Sequence, residues 1–148
     1  MAKSTLEKLS QYAVLIIALS ALIVSIWQVR VLHRHHKLSV KPYMHSSLIQ
    51  DDSLLSVYVK NQGFGPAIMQ MITFLDKGES YPSLESWLNA SGEIKNRRGS
   101  FNYGKNSIFA PAESKLLVEL KYRELRGVRV RIDYMSIYEE KGTFEFEF

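Results

Sequence analysis

The sequence predicts an N-terminal transmembrane helix followed by an all-β sandwich that carries one short inserted helix. Three observations predict it. Sixteen uncharged, mostly apolar residues run from Tyr12 to Trp27. From Leu38 onward, apolar residues recur at strand period between turn residues. One stretch around Trp87 switches to helical period.

The apolar run comes first. Sixteen residues rise about 24 Å as a helix, short of the roughly 30 Å hydrocarbon core. Extending from Leu9 to Leu32 supplies the difference, with Gln11, Gln28 and Arg30 at the interface. Tyr12 and Trp27 bracket the run where interfacial aromatics are favoured. A cleaved leader would want small residues just past the run, but Ile26-Trp27-Gln28-Val29-Arg30 stand there. A core helix would need apolar cover on every side. The expected organisation is a tail over 1–11, a membrane helix over 12–32 with its interfacial extension, a basic linker over 33–42 and a β domain over 43–148.

Charge supports that division. Residues 1–37 hold Lys3, Lys8, Arg30, Arg34 and Lys37 against Glu7, which accounts for the whole net charge of +4. Beyond them, basic and acidic residues balance. A basic excess confined to the flanks of an apolar run argues for anionic headgroups, not nucleic acid. The flank after the run carries Arg30, Arg34, Lys37 and Lys41; the flank before it carries Lys3 and Lys8. By the positive-inside rule, the C-terminal domain then lies on the cytoplasmic side, as expected for a single-pass inner-membrane protein. His33 and His36 could share a helical face, but no carboxylate or cysteine lies near enough in sequence to complete a metal site.

Gln11, Val14, Ala18, Ala21, Ser25, Gln28 and Leu32 follow heptad steps. Small residues at Ala18, Ala21 and Ser25 would let a second helix approach closely in lipid, so they are the candidate helix-association seam of a homo-oligomer. Chance placement of Ala and Ser gives the same pattern.

The β elements follow in order. Leu55, Val57 and Val59 alternate with Leu54, Ser56, Tyr58 and Lys60. A strand over Ala67–Asp76 ends at the turn signal Asp76-Lys77-Gly78. In the inserted helix, Ser83 caps, Leu84, Trp87 and Leu88 share a face, and Gly92 terminates. Ile94 to Asn106 is polar and glycine-punctuated, and reads as a loop. Ser114–Tyr122 is a strand after the Ala110-Pro111 break. Gly127–Glu140 and Thr143–Phe148 read as a hairpin through Lys141-Gly142, with Phe144, Phe146 and Phe148 on one face. Pattern does not fix which face of the first of these strands joins the phenylalanines, and a bulge near Asp133 is allowed. Six to eight strands in about 110 residues, with one short helix, fit an antiparallel sandwich of immunoglobulin-like kind.

The stretch Val59-Lys-Asn-Gln-Gly-Phe-Gly-Pro66 separates two strands. A phosphate-cradling loop would lead into a helix N-terminus, whereas this one leads into a strand. It reads as a structural corner: Asn61 bonds the turning backbone, Gly63 and Gly65 can take positive φ, and Pro66 fixes φ. The pattern VYVKNQGFGPAIMQMITFLDKG resembles the strand-turn-strand of CARDB-like, immunoglobulin-type modules, and FAPAESKLLVEL resembles the strand that follows in them. HRHHKLSVKPYM, NQGFGPAIM and IDYMSIYEE together are similar to a group of uncharacterised bacterial proteins with one N-terminal span and a small β domain. The resemblance implies a fold, and neither an activity nor a catalytic residue.

Chemistry is sparse. Ser47, His45 and Asp51 form a triad only on paper, because on one strand Asp51 stands about 20 Å from His45. Asp51-Asp52 and Glu139-Glu140 suit solvated turns. The one basic-aromatic segment holds Lys95, Arg97, Arg98, Phe101, Tyr103 and Lys105, and with Trp87 these are the candidate partner contacts. The expectation is a non-enzymatic, cofactor-free membrane protein whose β domain binds or scaffolds a protein near the bilayer. The alternative is a sensing effector whose β domain binds a small anion or nucleotide while the helix oligomerises.

Overall fold

In a computed structural model that describes residues 2–51, 53–101, 103–121 and 127–148, the chain begins as one uninterrupted α-helix, α1, Ala2–Ser39. Its stretch Lys8–Ser39 is long and apolar enough to cross a membrane, with a window of mean hydropathy 2.2 and none of that window buried. Helix-breaking residues are absent until Pro42, which ends the helical option just upstream. The chain divides into two compact units, 1–38 and 39–148.

The second unit is built from two antiparallel sheets and a short helix. Nine strands are described: β1 Met44–Asp51, β2 Leu54–Asn61, β3 Ala67–Asp76, β4 Glu79–Tyr81, β5 Arg97–Ser100, β6 Ile108–Phe109, β7 Ser114–Lys121, β8 Arg129–Met135 and β9 Lys141–Glu147. One sheet has the order β1-β2-β7-β5. The other runs β4-β3-β8-β9, and β6 also pairs with β3. Both sheets feed one core, with Val57, Val59, Val118 and Leu120 from the first and Ala67, Met69, Phe74, Val130 and Ile132 from the second. Asp52 and Tyr122, assigned from sequence to a turn and a strand end, lie outside the described residues.

Bulges tune which side chains reach that core. In β3, Met69 pairs with Tyr134 and Met71 with Asp133, which leaves Gln70 as an extra residue. The buried phase switches there from Ala67 and Met69 to Phe74. The irregularity thus lies beside Asp133 but on the partner strand. Pairing of Val130 with Phe146 and Ile132 with Phe144 settles the face of β8: Val130 and Ile132 join the phenylalanines.

The helix α2, Leu84–Ser91, follows its sequence signals. The Ser83 side chain accepts from the Ser86 backbone N–H, the Ser86 hydroxyl reciprocates, and Gly92 ends the helix at φ 75°. Leu84, Trp87 and Leu88 are buried.

Two expectations are corrected. The β8–β9 hairpin does not turn at Lys141-Gly142. Those residues pair with Met135 and Tyr134 inside β9. The turn lies five residues earlier, where the Ser136 side chain accepts from the N–H groups of Tyr138 and Glu140 and Glu139 takes φ 61°. Gly142 is small because the Tyr134 ring lies over it. Likewise, Arg97–Ser100 is not loop but the edge strand β5, hydrogen-bonded to β7. Its polar, glycine-containing sequence lacks the apolar alternation of a half-buried strand, because only one side of it has a neighbour.

Candidate functional site

The basic-aromatic segment begins where α2 ends. A 3-10 turn, Glu93–Asn96, follows Gly92. Glu93 is buried, and its carboxylate accepts from Asn96 Nδ2 at 2.7 Å, which fixes the chain's entry into β5. Lys95, Arg97 and Arg98 are exposed on this edge. Among the described residues, none of them, nor Lys105, forms an ion pair.

Beyond β5 the segment crosses from one sheet to the other. Phe101 N–H donates to the Leu117 carbonyl, and Tyr103 Oη donates to the Leu116 carbonyl at 2.7 Å. The Tyr103 ring packs on Phe109 at 5.2 Å and on Phe101 at 5.3 Å. Burial, then the nearby Glu113 carboxylate, pushes the Tyr103 phenol above its ordinary range. Asn106 N–H donates to Met69 O, and Met69 N–H donates to Ser107 O, which tie the far end to β3. Phe101 stays 60 % exposed, so its ring is the available apolar contact.

The candidate contact residues therefore separate by role. Lys95, Arg97, Arg98, Phe101 and Lys105 present a surface. Tyr103 is half-buried and braces the segment. Trp87 is withdrawn from the contact set: its ring is fully buried, stacked on Phe74 at 5.7 Å and edge-on to Phe148 at 6.0 Å. Its Nε1 donates to Asp76 at 3.2 Å, so even the polar tip is used internally.

Sheet order assembles one feature that sequence does not show. Because β5 lies beside β7, Arg98 meets Lys121 and Glu119 across an open concavity of about 440 Å³, with Ser53 and Leu54 on its other wall. Glu119 accepts from the Ser56 hydroxyl at 3.3 Å. Two cations and one oriented carboxylate give this hollow the chemistry to hold a small anionic or zwitterionic group. Without the β5–β7 pairing, Arg98 and Lys121 are merely two distant basic residues.

The corner is a hydrogen-bond hub. Asn61 is fully buried; its Nδ2 donates to the carbonyls of Gly65 (2.8 Å) and Phe109 (3.1 Å), and its Oδ1 accepts from the N–H groups of Gly63 (3.0 Å) and Tyr43 (3.2 Å). All four side-chain valences are thus in use. Gly63 and Gly65 do not adopt positive φ. Their role is close approach, because a Cβ on either would overlap the backbone of Val40–Tyr43. Pro66 leads directly into β3.

On α1, Ala18, Ala21 and Ser25 are exposed. Ser25 Oγ donates to the Ala21 carbonyl at 2.8 Å, so the hydroxyl hydrogen is spent within its own helix. What remains at the seam is small size and hydroxyl acceptor capacity. Among the described residues, no group of three or more His, Cys, Asp or Glu side chains gathers to hold a metal.

No protein-family model matches this chain, and no curated protein matches its sequence significantly.

Proposed function

We propose that this is a single-pass membrane protein whose β unit binds a protein partner close to the bilayer, without catalysis. One observation carries the reading: an exposed apolar helix of membrane-spanning length runs into a separately packed β unit after only Val40 to Tyr43. Such an anchor raises the local concentration of whatever the β unit presents. The strand orders β1-β2-β7-β5 and β4-β3-β8-β9 support reading the unit as immunoglobulin-like, a fold much used for recognition. The contact surface we favour is the β5 edge with Lys95, Arg97, Arg98, Phe101 and Lys105, and an acidic partner suits its charge. The anchor would place this in a bacterial inner membrane with the β unit facing the cytoplasm. The test is photo-crosslinking from position 101 of the full chain in its own membranes. Arg97→Glu with Arg98→Glu should abolish the adducts, whereas an unchanged adduct set excludes this edge.

The concavity favours a second reading, in which the β unit senses a small anion or nucleotide while α1 oligomerises through Ala18, Ala21 and Ser25. It requires saturable, salt-sensitive binding of inorganic phosphate or a nucleotide by the full chain, lost on Lys121→Glu. Absence of binding to both probes removes it.

A further inference from the structure

Strand pairing gathers five exposed apolar or aromatic side chains at one end of the β unit. Met44 pairs with Asn61, so Tyr43 lies beside the corner that carries Phe64. Ile68 pairs with both Met135 and Ile108, which brings the β8–β9 turn with Ile137 and Tyr138, and Ile108 itself, to the same end. Among the described residues of the β unit, nine large apolar or aromatic side chains are exposed, and these are five of them. Phe64 is 84 % exposed and Ile137 50 %. At the opposite end, the described turns at Ser53 and Lys77-Gly78 show polar residues and glycine. Scattered exposed apolar residues need no explanation, but a cluster does.

Two of these five, Phe64 and Ile137, ride backbone turns that are fixed by internal contacts. Phe64 sits between Gly63 and Gly65, whose missing side chains make room for Val40–Tyr43, while Asn61 bonds both glycines. Its exposed ring is therefore carried on a backbone that is already ordered. Ile137 rides a turn closed by Ser136 N–H to the Glu140 carbonyl at 2.9 Å and by two bonds to the Ser136 hydroxyl. Apolar side chains carried on ordered turns spare the cost of ordering the loop when they are buried.

What covers them follows from chain connection. This end is where the chain enters the β unit, and only Val40 to Tyr43 separate Ser39, the last residue of α1, from β1. Residues 33–39 carry the helix about 10 Å past a span that ends at Leu32, and four linker residues reach about 14 Å at most, enough to return that distance. A bilayer crossed by α1 is thus within reach of this end. Tyr43 and Tyr138 have the amphipathic character favoured at headgroup depth. Lys41, Lys105 and Lys141 at this end can meet phosphates, Glu139 and Glu140 offset two of them, and Glu113 is paired with Lys115 at 3.2 Å.

We infer that this end of the β unit rests on the lipid surface, with Phe64 and Ile137 inserted into the interface. The inference rests on reading α1 as a membrane span. Because the charges nearly cancel, insertion is driven by apolar contact. It should persist in neutral phosphatidylcholine and at high salt.

The test is nitroxide depth measurement on the full chain in phosphatidylcholine vesicles. The chain has no cysteine, so Leu19→Cys, Ile137→Cys and Ala90→Cys each give one label. Label 19 tests the span, label 137 the inferred contact, and label 90, exposed on α2, the far end. Oxygen should collide more with label 137 than with label 90, and a water-soluble nickel chelate less. Label 137 behaving like label 90 while label 19 reads as bilayer overturns the inference and leaves the span standing. Label 137 shielded from both reagents overturns it in favour of a protein surface, such as a second copy. Label 19 open to nickel overturns the span and the inference with it.

Discussion

The carbonyl of Val40 occupies the space that a side chain on Gly65 would need. The segment leading out of α1 is thereby locked into the corner between β2 and β3. Gly65→Ala forces backbone against backbone, with no flexible side-chain end to yield. Overpacking of this kind costs about 1–3 kcal/mol or more. In a domain of this size each kcal/mol lowers Tm by about 4–8 °C. The expected outcome is a lower Tm with new protease cleavage between Val40 and Tyr43. Normal stability and an uncut linker would show that the corner does not hold the linker.

Asn61 makes a sharper prediction through pH. Asn61→Asp keeps the acceptor for Gly63 and Tyr43 but loses the donor to Gly65 and Phe109. A carboxylate there would be buried against two carbonyl oxygens, which raises its folded-state pKa above the unfolded value of about 3.9. A raised carboxyl pKa gives stability that is present below the unfolded value and lost as pH rises through the folded one. The variant should therefore recover part of its deficit when melts are run at pH 4 instead of pH 7. A deficit independent of pH would mean that the side chain escapes to water.

How much of this architecture is legible in the sequence depends on where the determinants sit. The helix α2 is legible because Ser83, Gly92 and the Leu84-Trp87-Leu88 face are all local signals. The membrane-length helix is legible for the same reason. Strand β5 is not, since Arg97 to Ser100 forms a strand only by pairing with β7, some 20 residues later in the chain. The Arg98–Lys121 hollow inherits that obscurity. Trp87 illustrates the converse error: a tryptophan preceded by Glu85 and Ser86 on a short helix looks available, yet Phe74 of β3 and Phe148, just past β9, enclose it. Gly63 and Gly65 look like turn glycines, and only the fold shows the Val40–Tyr43 backbone lying against them.

Trp87 itself can be split into packing and hydrogen bonding. Trp87→Phe keeps a ring against Phe74 but drops the bond to Asp76, a loss of about 0.5–1.5 kcal/mol plus the smaller ring volume. Trp87→Ala empties the site and should cost about 3–5 kcal/mol. Urea melts of both variants should rank in that order. Equal and small losses would place the ring outside the load of the core.

Tyr103 gives an alkaline limb. Its phenol is held above the ordinary tyrosine range, chiefly by burial, so the neutral form is favoured in the folded state. Stability from a raised pKa is fully present below the unfolded value near 10 and is lost as pH rises beyond it. Stability should hold to about pH 10 and then fall. Tyr103→Phe should be weaker at pH 7, by about 0.5–1.5 kcal/mol for the lost bond to Leu116, yet flatter above pH 10. A variant with the same alkaline slope as the parent would assign that slope to other groups.

Topology is the prediction on which the choice of partner depends. The flank after the apolar run carries Arg30, Arg34, Lys37 and Lys41 against Lys3 and Lys8 before it. Flanking positive charge is retained on the cytoplasmic side, so the proposed topology has the β unit facing the cytoplasm. Ser91→Cys supplies a single thiol at the exposed end of α2. The change gives up the hydroxyl's bonds to the Trp87 and Leu88 carbonyls, at 2.8 and 3.4 Å, and its acceptance of the Glu93 N–H at 3.4 Å, all local to the end of α2. In intact cells, with any outer membrane made permeable, an impermeant maleimide should leave that thiol unlabelled until lysis. The search for a partner of the Arg97–Arg98 edge then belongs among acidic cytosolic proteins, and nucleotides become reasonable probes for the hollow beside Lys121. Labelling before lysis reverses each of these consequences: the charge count fails, the hollow faces a compartment poor in nucleotides, and the edge must be tested against envelope proteins instead.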